Sequence, residues 1–258
     1  MGLPLEFITG RGPVVETPVR TMDHIANLKE ADAEKDLDYV YKAVRLISSK
    51  LDGKIPLMGF AGGPLTVASY MIEGGSSKEL AQVKQLAFGN PDVYHALMEK
   101  ITTLTIDYLL LQADAGADAL VVMDSWAGFF SNEDYRQLIL PYTQRVLQGA
   151  AQSKKPVLHY ANGASHLLPE LTNLDCQGLG LDWRTSLEKA IELNPDMVYQ
   201  GNLDPVTLFA PKEIIVEKTQ KILDIVQDRP HIMNLGHGII PKTPVSGVHD
   251  FINTIRGK

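Results

Sequence analysis

Six short apolar runs along this chain end in clusters of glycine, aspartate, asparagine, serine or histidine, and each cluster gives way to a helical pattern. The clusters occupy residues 59–64, 124–128, 159–163, 181–183, 201–205 and 234–238. Repeated strand, polar turn and helix is typical of a (β/α) TIM-type barrel, in which the turns after the strands hold the chemistry. Since a closed barrel has about eight such units, the pattern predicts an α/β barrel that is incomplete.

The composition is that of an ordinary globular protein, with 45% hydrophobic and 21% charged residues. No linker divides the 258 residues, so we predict a single domain over residues 1–258. A net charge of −7 argues against nucleic-acid partners, but it permits an anionic small molecule that meets a local cluster of donors.

Location and metal content are predicted from what the sequence lacks. No apolar run approaches the roughly 20 residues of a membrane span, and the first residues do not resemble a secretory signal. Cys176 is the single cysteine, so it can form neither an internal disulfide nor a cysteine-rich zinc site. We therefore expect a cytoplasmic protein with no membrane partner and no metal.

The first residues differ from the rest, because two β-prone pieces flank the turn residues 10–13 and predict a hairpin. Barrel strands are predicted at 55–60, 119–123, 157–160, 178–181, 197–200 and 231–234. Helical stripes are predicted at 37–51, 93–111, 135–146, 164–171, 185–192, 211–227 and 245–256. Asn90 and Pro91 are expected to cap and begin the second of these helices.

His237 is the first candidate for chemistry. It lies at the end of the last predicted strand between Gly236 and Gly238, where the backbone can bend and leave the imidazole facing the barrel mouth. A histidine there can hydrogen-bond a carboxylate or move a proton near neutral pH. The alternative is a histidine that is simply packed in a turn.

Other polar residues admit a structural interpretation as readily as a functional one. Asp124 and Ser125 offer a carboxylate and a hydroxyl at a strand end, but both residue types also begin helices. Tyr70 lies one helix after the first strand end and could turn its phenol towards the mouth, or pack in the core. The role of the segment 159–163 stays open, as does that of Arg184.

Taken together, six segments in register along essentially the whole chain resemble uroporphyrinogen decarboxylase. They are residues 59–64, 70–75, 124–128, 180–183, 200–205 and 234–238. The resemblance implies a cofactor-free (β/α)₈ barrel, usually a homodimer, that removes carbon dioxide from the four acetate arms of uroporphyrinogen III to give coproporphyrinogen III in haem synthesis. It also implies that Tyr70, Ser125 and His237 hydrogen-bond substrate carboxylates, and that Phe60 forms an apolar wall of the cleft.

The chain departs from that family pattern in one respect. The family begins with two further βα units, which carry an Arg-x-x-Gly-Arg loop and a catalytic aspartate, and none of the eight arginines here lies in that pattern. We therefore expect an N-terminally truncated barrel, no catalytic residue in this chain, impaired activity, and a gap that is narrowed, covered by the hairpin or filled by another chain.

Two other functions are considered. A non-catalytic tetrapyrrole-binding or partner subunit would keep the same scaffold and bind porphyrinogen without turnover. A thiol methyltransferase would resemble this barrel too, but it needs a zinc site of histidine and cysteine, and Cys176 has no neighbouring histidine in the sequence.

Overall fold

The computed structural model describes residues 1–10 and 12–257, so Arg11 in the predicted hairpin turn lies outside the described residues. The hairpin itself is confirmed: β1 (Leu5–Ile8) pairs antiparallel with β2 (Gly12–Val15) in a sheet of their own. It packs on a helix end, where the Val15 amide donates to the Gly74 carbonyl at 2.9 Å. The hairpin therefore does not extend the main sheet.

The main sheet contains six parallel strands within the described residues, each hydrogen-bonded to the next in chain order. They are β3 (Met58–Gly62), β4 (Ala119–Asp124), β5 (Val157–Ala161), β6 (Gly178–Gly180), β7 (Val198–Leu203) and β8 (His231–Leu235). All six predicted strands are present, with bounds shifted by a few residues. Parallel neighbours in chain order, joined by helices, are the arrangement of a TIM-type barrel.

The helices mostly follow the predicted stripes. They are α1 (Met22–Ala26), α2 (Ala33–Asp36), α3 (Asp38–Leu51), α4 (Pro64–Glu73), α5 (Ala81–Gly89), α6 (Pro91–Asp114), α7 (Asn132–Asp134), α8 (Leu140–Ala151), α9 (Leu168–Leu171), α10 (Leu187–Leu193), α11 (Lys212–Val226) and α12 (Val245–Ile255). A π-helical segment, Tyr135–Ile139, joins α7 to α8. Asn90 and Pro91 occupy the N-cap and first-turn positions of α6 as predicted, although the Asn90 side chain accepts no capping hydrogen bond.

Alternation along β4 shows how the sheet divides the interior. Leu120, Val122 and Asp124 are buried on one face, while Val121 and Met123 turn to the other face and line a cavity. The first face packs against the helices, and the buried aromatic rings of Tyr94 and Tyr135 belong to this layer. The sheet is therefore a hydrophobic wall with its chemistry on the other side.

The two outer strands are hydrogen-bonded on one side only in the described part of the chain: β3 to β4, and β8 to β7. Ile232 of β8 is 39% exposed, and Phe60 of β3 is 59% exposed. These two edges confirm the predicted incomplete barrel, because a closed barrel would pair them with further strands.

Candidate active site

A cavity of about 420 Å³ lies at the carboxyl ends of the strands. Its lining comes from strands β3 to β8 and from the loops that follow them: Met58, Val121, Met123, Ser125, Tyr160, Gly180, Leu181, Gln200, Asn234, Leu235, His237 and Gly238. Ser125 and His237 thus share one cavity although 112 positions separate them in the sequence. Among the described lining residues none is acidic.

His237 follows β8 and is exposed at the cavity. Gly236, just before it, donates its amide to the Leu203 carbonyl at 2.7 Å. A Cβ on Gly236 would stand 2.3 Å from the Trp183 nitrogen, so only glycine allows this close approach of two loops. The approach brings the imidazole of His237 to 6.1 Å from the Trp183 ring, at an interplanar angle of 85°.

Tyr160 is a site residue that the sequence did not reveal. It leaves β5 on the cavity face, and its hydroxyl donates to the Gly236 carbonyl at 2.9 Å. Burial raises the pKa of the Tyr160 phenol to about 12, so the phenol keeps its proton for this bond at neutral pH. A tyrosine in the unassigned segment 159–163 therefore holds the loop that carries His237.

A hydrogen-bonded clamp holds Ser125. Its backbone amide donates to Thr66 Oγ1 at 2.9 Å, and the Thr66 hydroxyl donates to Asp124 Oδ1 at 3.2 Å. The same Oδ1 accepts the amides of Trp126 and Ala127, each at 3.1 Å. Asp124 therefore begins the turn after β4, and it leaves the Ser125 side chain on the cavity side.

Asp124 is fully buried, and its other carboxylate oxygen has no hydrogen-bond partner among the described residues. Burial raises the pKa of Asp124 to about 6, against the opposing effect of its hydrogen bonds. Asp124 points away from the cavity. Its hydrogen bonds hold the turn after β4 and so position Ser125.

Tyr70 and Phe60 are not among the described residues that line the cavity. Tyr70, on α4, is half-buried. The centre of its ring lies 6.3 Å from that of Trp126, the residue that follows Ser125, in an edge-on arrangement. Phe60 lies on the same face of β3 as the lining residue Met58. The amide side chain of Gln112 bonds both the N–H and the C=O of Phe60, at 3.0 and 2.9 Å, which fixes the edge strand there.

The loop after β6 carries the second buried aspartate. Asp182 accepts the amides of Gly163 and Arg184 as well as the Thr185 hydroxyl. These bonds order the loop that bears Trp183. Asp182 does not cap the next helix, because Ser186 caps α10.

Groups that could hold a metal are dispersed. Among the residues described, no set of three or more histidine, cysteine, aspartate or glutamate side chains is arranged to hold an ion. His159 is fully buried on β5, and burial lowers its pKa to about 4. Burial raises the pKa of the Cys176 thiol to about 11, so the thiol is protonated at neutral pH. In the same part of the chain, no helix is long and apolar enough to cross a membrane.

A family model matches this scaffold over nearly its whole length. A model of the family described as uroporphyrinogen decarboxylase matches residues 1–257. The chain belongs to the uroporphyrinogen decarboxylase family. The resemblance predicted from the six segments is thereby confirmed.

Named relatives agree with this assignment. A uroporphyrinogen decarboxylase from Trichlorobacter lovleyi is 44% identical over 246 residues, which cover 95% of this chain and 72% of the relative. One from Carboxydothermus hydrogenoformans is 42% identical over 257 residues, covering 99% of this chain and 73% of the relative. The chain thus spans somewhat less than three quarters of the length of these members of the uroporphyrinogen decarboxylase family.

Solved structures share the fold with lower sequence identity. A methyltransferase from Methanosarcina mazei has a TM-score of 0.84 at 20% identity, covering 100% of this chain and 76% of that chain. A B12-independent methionine synthase from Shewanella has a TM-score of 0.62 at 12% identity, covering 98% and 72%. At these identities the likeness supports the TIM-type fold of the uroporphyrinogen decarboxylase family and nothing about chemistry.

Proposed function

We propose that this chain acts on uroporphyrinogen III as a decarboxylase of its acetate arms, with coproporphyrinogen III as the product. One observation carries the proposal: Ser125 and His237, two polar residues of the family pattern, line one cavity at the carboxyl ends of the strands. That is where TIM-type barrels hold their substrates. A small anionic substrate also suits a cavity whose described lining contains no acidic side chain.

The proposed roles follow from position. Ser125 and His237 donate hydrogen bonds to substrate carboxylates inside the cavity. Tyr70 donates from the α4 side, beside Trp126. Phe60 provides an apolar wall on the edge strand, where its exposed ring is free to cover a pyrrole.

The reaction requires no cofactor, because the pyrrole ring itself accepts the electrons. A proton adds to the pyrrole carbon that bears the acetate arm, and the ring becomes cationic. The bond between the methylene and the carboxylate then breaks, and its electron pair neutralises the ring as carbon dioxide leaves. The methylene takes up a proton and the ring carbon returns its own, so one proton is consumed for each carbon dioxide released. His237 is the histidine among the described residues that line the cavity, and its imidazole can serve as a proton donor or acceptor there.

Turnover by the isolated chain is proposed to be weak. The two buried aspartates near the cavity, Asp124 and Asp182, accept hydrogen bonds that order their own loops, and Asp124 points away from the cavity. Neither is placed to stabilise a cationic pyrrole. Loss of one group that stabilises charge in a transition state typically costs about a hundredfold to a thousandfold in rate.

We also propose that residues 1–258 act as a single domain within a homodimer in the cytoplasm. The family resemblance supports the dimer, and the single, protonated Cys176 is compatible with a reducing compartment. Size-exclusion chromatography with light scattering tests the dimer, since a mass near 28.4 kDa at micromolar concentration would contradict it.

The proposed activity is tested by anaerobic incubation of the purified chain with uroporphyrinogen III, followed by chromatographic separation of products with eight to four carboxylates. Ser125→Ala and His237→Gln should each slow whatever conversion the chain supports. His249→Gln is the matched control, because His249 is an exposed histidine on α12. Conversion unaffected by both site variants would contradict the assigned roles.

A non-catalytic binding subunit is the second candidate, and the absence of acidic side chains among the described lining residues favours it. The same incubation separates the two. Binding of uroporphyrinogen III by a folded chain that releases no carbon dioxide supports the binding subunit, whereas measurable coproporphyrinogen III supports the enzyme.

A further inference from the structure

Arg184 lies at the rim of the cavity. The loop that carries it leaves β6 at its carboxyl end, and Leu181, three residues earlier, lines the cavity. Asp182 fixes the loop by accepting the amides of Gly163 and Arg184. The backbone of Arg184 is therefore held at the carboxyl ends of the strands.

The Arg184 side chain is stacked on an indole ring and paired with one carboxylate. Its guanidinium carbon lies 3.7 Å from the centre of the Trp183 ring, which is the spacing of a cation–π stack. The side chain is 50% exposed and forms an ion pair with the fully buried Asp182, whose Oδ2 lies 3.5 Å from Nη1. None of its side-chain N–H groups donates a hydrogen bond to another described residue, although the group has five such donors.

The stack of Arg184 on Trp183 lies next to His237, which lines the cavity. The Trp183 ring that carries the guanidinium on its face lies 6.1 Å from the His237 ring. The positive charge of Arg184 also acts on the pKa of the Tyr160 phenol in the cavity, where it opposes the upward shift that burial causes. The guanidinium thus lies on an indole that neighbours an imidazole of the cavity lining.

The other described arginines that make contacts are occupied elsewhere. Arg20 and Arg229 donate to backbone carbonyls, while Arg136 and Arg145 form ion pairs: Arg20 with Ile72, Arg229 with Pro195, Arg136 with Glu170 and Arg145 with Glu99. Arg184 also forms an ion pair, with Asp182, but it differs in that its guanidinium is stacked on an indole beside the cavity and donates no hydrogen bond to another described residue.

We propose that Arg184 binds a carboxylate of the porphyrinogen substrate at this rim. The inference deepens the proposed function and rests on it. A ring of four pyrroles with eight carboxylate arms is larger than an ordinary small ligand, so its arms must extend beyond a cavity of about 420 Å³. A guanidinium presents two parallel N–H donors to one carboxylate, and the stack on Trp183 already restricts its freedom, so little further order is lost on binding.

The test is anaerobic equilibrium dialysis of uroporphyrinogen III against the folded chain, with the ligand quantified as porphyrin after oxidation. Arg184→Gln should raise the dissociation constant about tenfold, because a charge-assisted hydrogen bond is lost. Arg184→Lys should recover only part of the affinity, since an ammonium cannot bind a carboxylate in bidentate fashion. Arg256→Gln is the control, because it removes the same charge at the exposed end of α12.

A second ligand identifies the arm. Coproporphyrinogen III lacks the acetate carboxylates but keeps the other four. If Arg184→Gln weakens both ligands equally, Arg184 binds one of the retained arms; if it weakens uroporphyrinogen III alone, it binds an acetate. Either result supports the inference.

Two results would overturn it. Equal affinity of the parent, Arg184→Gln and Arg256→Gln for uroporphyrinogen III would remove the role of Arg184 and leave the proposed function standing. Failure of the folded parent itself to retain uroporphyrinogen III would remove the proposed function and this inference with it. Thermal unfolding of each variant shows that the comparison is made on folded protein.

Discussion

Tyr160 connects two strands that lie on opposite sides of the cavity. Its ring comes from β5, and its hydroxyl bonds the carbonyl of Gly236, next to His237, after β8. The Tyr160 side chain thus helps to place the imidazole relative to Ser125, together with the Gly236–Leu203 backbone bond. The resemblance to the family implied no role for Tyr160. The bond also depends on a partner 76 residues away in the sequence.

We predict that Tyr160→Phe lowers the free energy of unfolding by about 1 kcal/mol, the usual contribution of one hydrogen bond. The same change should shift the imidazole signals of His237 in an NMR spectrum. Tyr199→Phe is the matched control, because that hydroxyl bonds Ala190 and Asn194 in the buried layer. Unchanged His237 signals in Tyr160→Phe would contradict the positioning role.

His159 makes stability depend on pH. Burial lowers its pKa from 6.5 to about 4, so between these values the unfolded chain binds a proton that the folded chain does not. The contribution of His159 to the free energy of unfolding should therefore rise with pH from about 4 to 6.5, by up to about 3 kcal/mol. His159→Leu should abolish this contribution in urea titrations across that range, whereas the exposed control His249→Gln should retain it.

Asp124 acts in the opposite direction. Burial raises its pKa from 3.8 to about 6, so in this range the folded chain holds a proton that the unfolded chain has lost. The contribution of Asp124 to the free energy of unfolding should fall by up to about 3 kcal/mol as pH rises from about 4 to 6, and Asp124→Asn should lack this fall. The stability of the variant relative to the parent should therefore increase with pH, and a difference independent of pH would contradict the shift.

At the scale of elements, β6 is short and contains two glycines because its neighbours need the space. A Cβ on Gly180 would stand 2.9 Å from the Tyr160 ring, and a Cβ on Gly178 would stand 2.9 Å from the Leu158 side chain. Glycine at positions 178 and 180 therefore leaves room for the Leu158 and Tyr160 side chains of β5. Gly180 thus helps to shape the cavity, because it leaves space for the Tyr160 ring.

We predict that Gly180→Ala destabilises the protein by about 1–3 kcal/mol, since the added methyl group forces a well-packed ring to move. Porphyrinogen affinity should fall with it if Tyr160 is displaced from Gly236. Gly89→Ala is the matched control, because a Cβ there meets nothing within 4 Å. Equal melting temperatures for the two variants would contradict the packing argument.

For the whole molecule, the open sheet is the dominant property. In the described residues β3 and β8 are each hydrogen-bonded on one side only, and Phe60 and Ile232 expose apolar surface next to them. Natural proteins usually cover such edges. The two edges are thus where the gap expected from the sequence lies, and the hairpin leaves them without strand pairing.

We predict that amide hydrogens of β3 and β8 exchange with solvent faster than those of β4, β5 and β6, since the outer strands lack a partner on one side. Hydrogen exchange measured by mass spectrometry at two protein concentrations tests this. Protection of β3 and β8 that increases with concentration would indicate that a second copy covers the edges. Strong protection at all concentrations would contradict the open sheet.

The sequence by itself determined the alternation of strands and helices, the hairpin, and the clusters at the strand ends. These are local properties, because apolar periodicity and turn residues act over a few positions. Parallel strands in chain order then bring the clusters to one edge, which is why Ser125 and His237 could be predicted to lie near one another.

Only the tertiary structure decided which side chains support the site. The bond from Tyr160 to Gly236, the clamp of Thr66 on Asp124 and the stack of Arg184 against Trp183 beside His237 depend on register, strand twist and loop approach. Each is set by the packing of segments distant in the chain, where a shift of one residue would turn the side chain to the other face. A local pattern cannot contain that information, because the energy of such contacts arises only when the whole sheet is assembled.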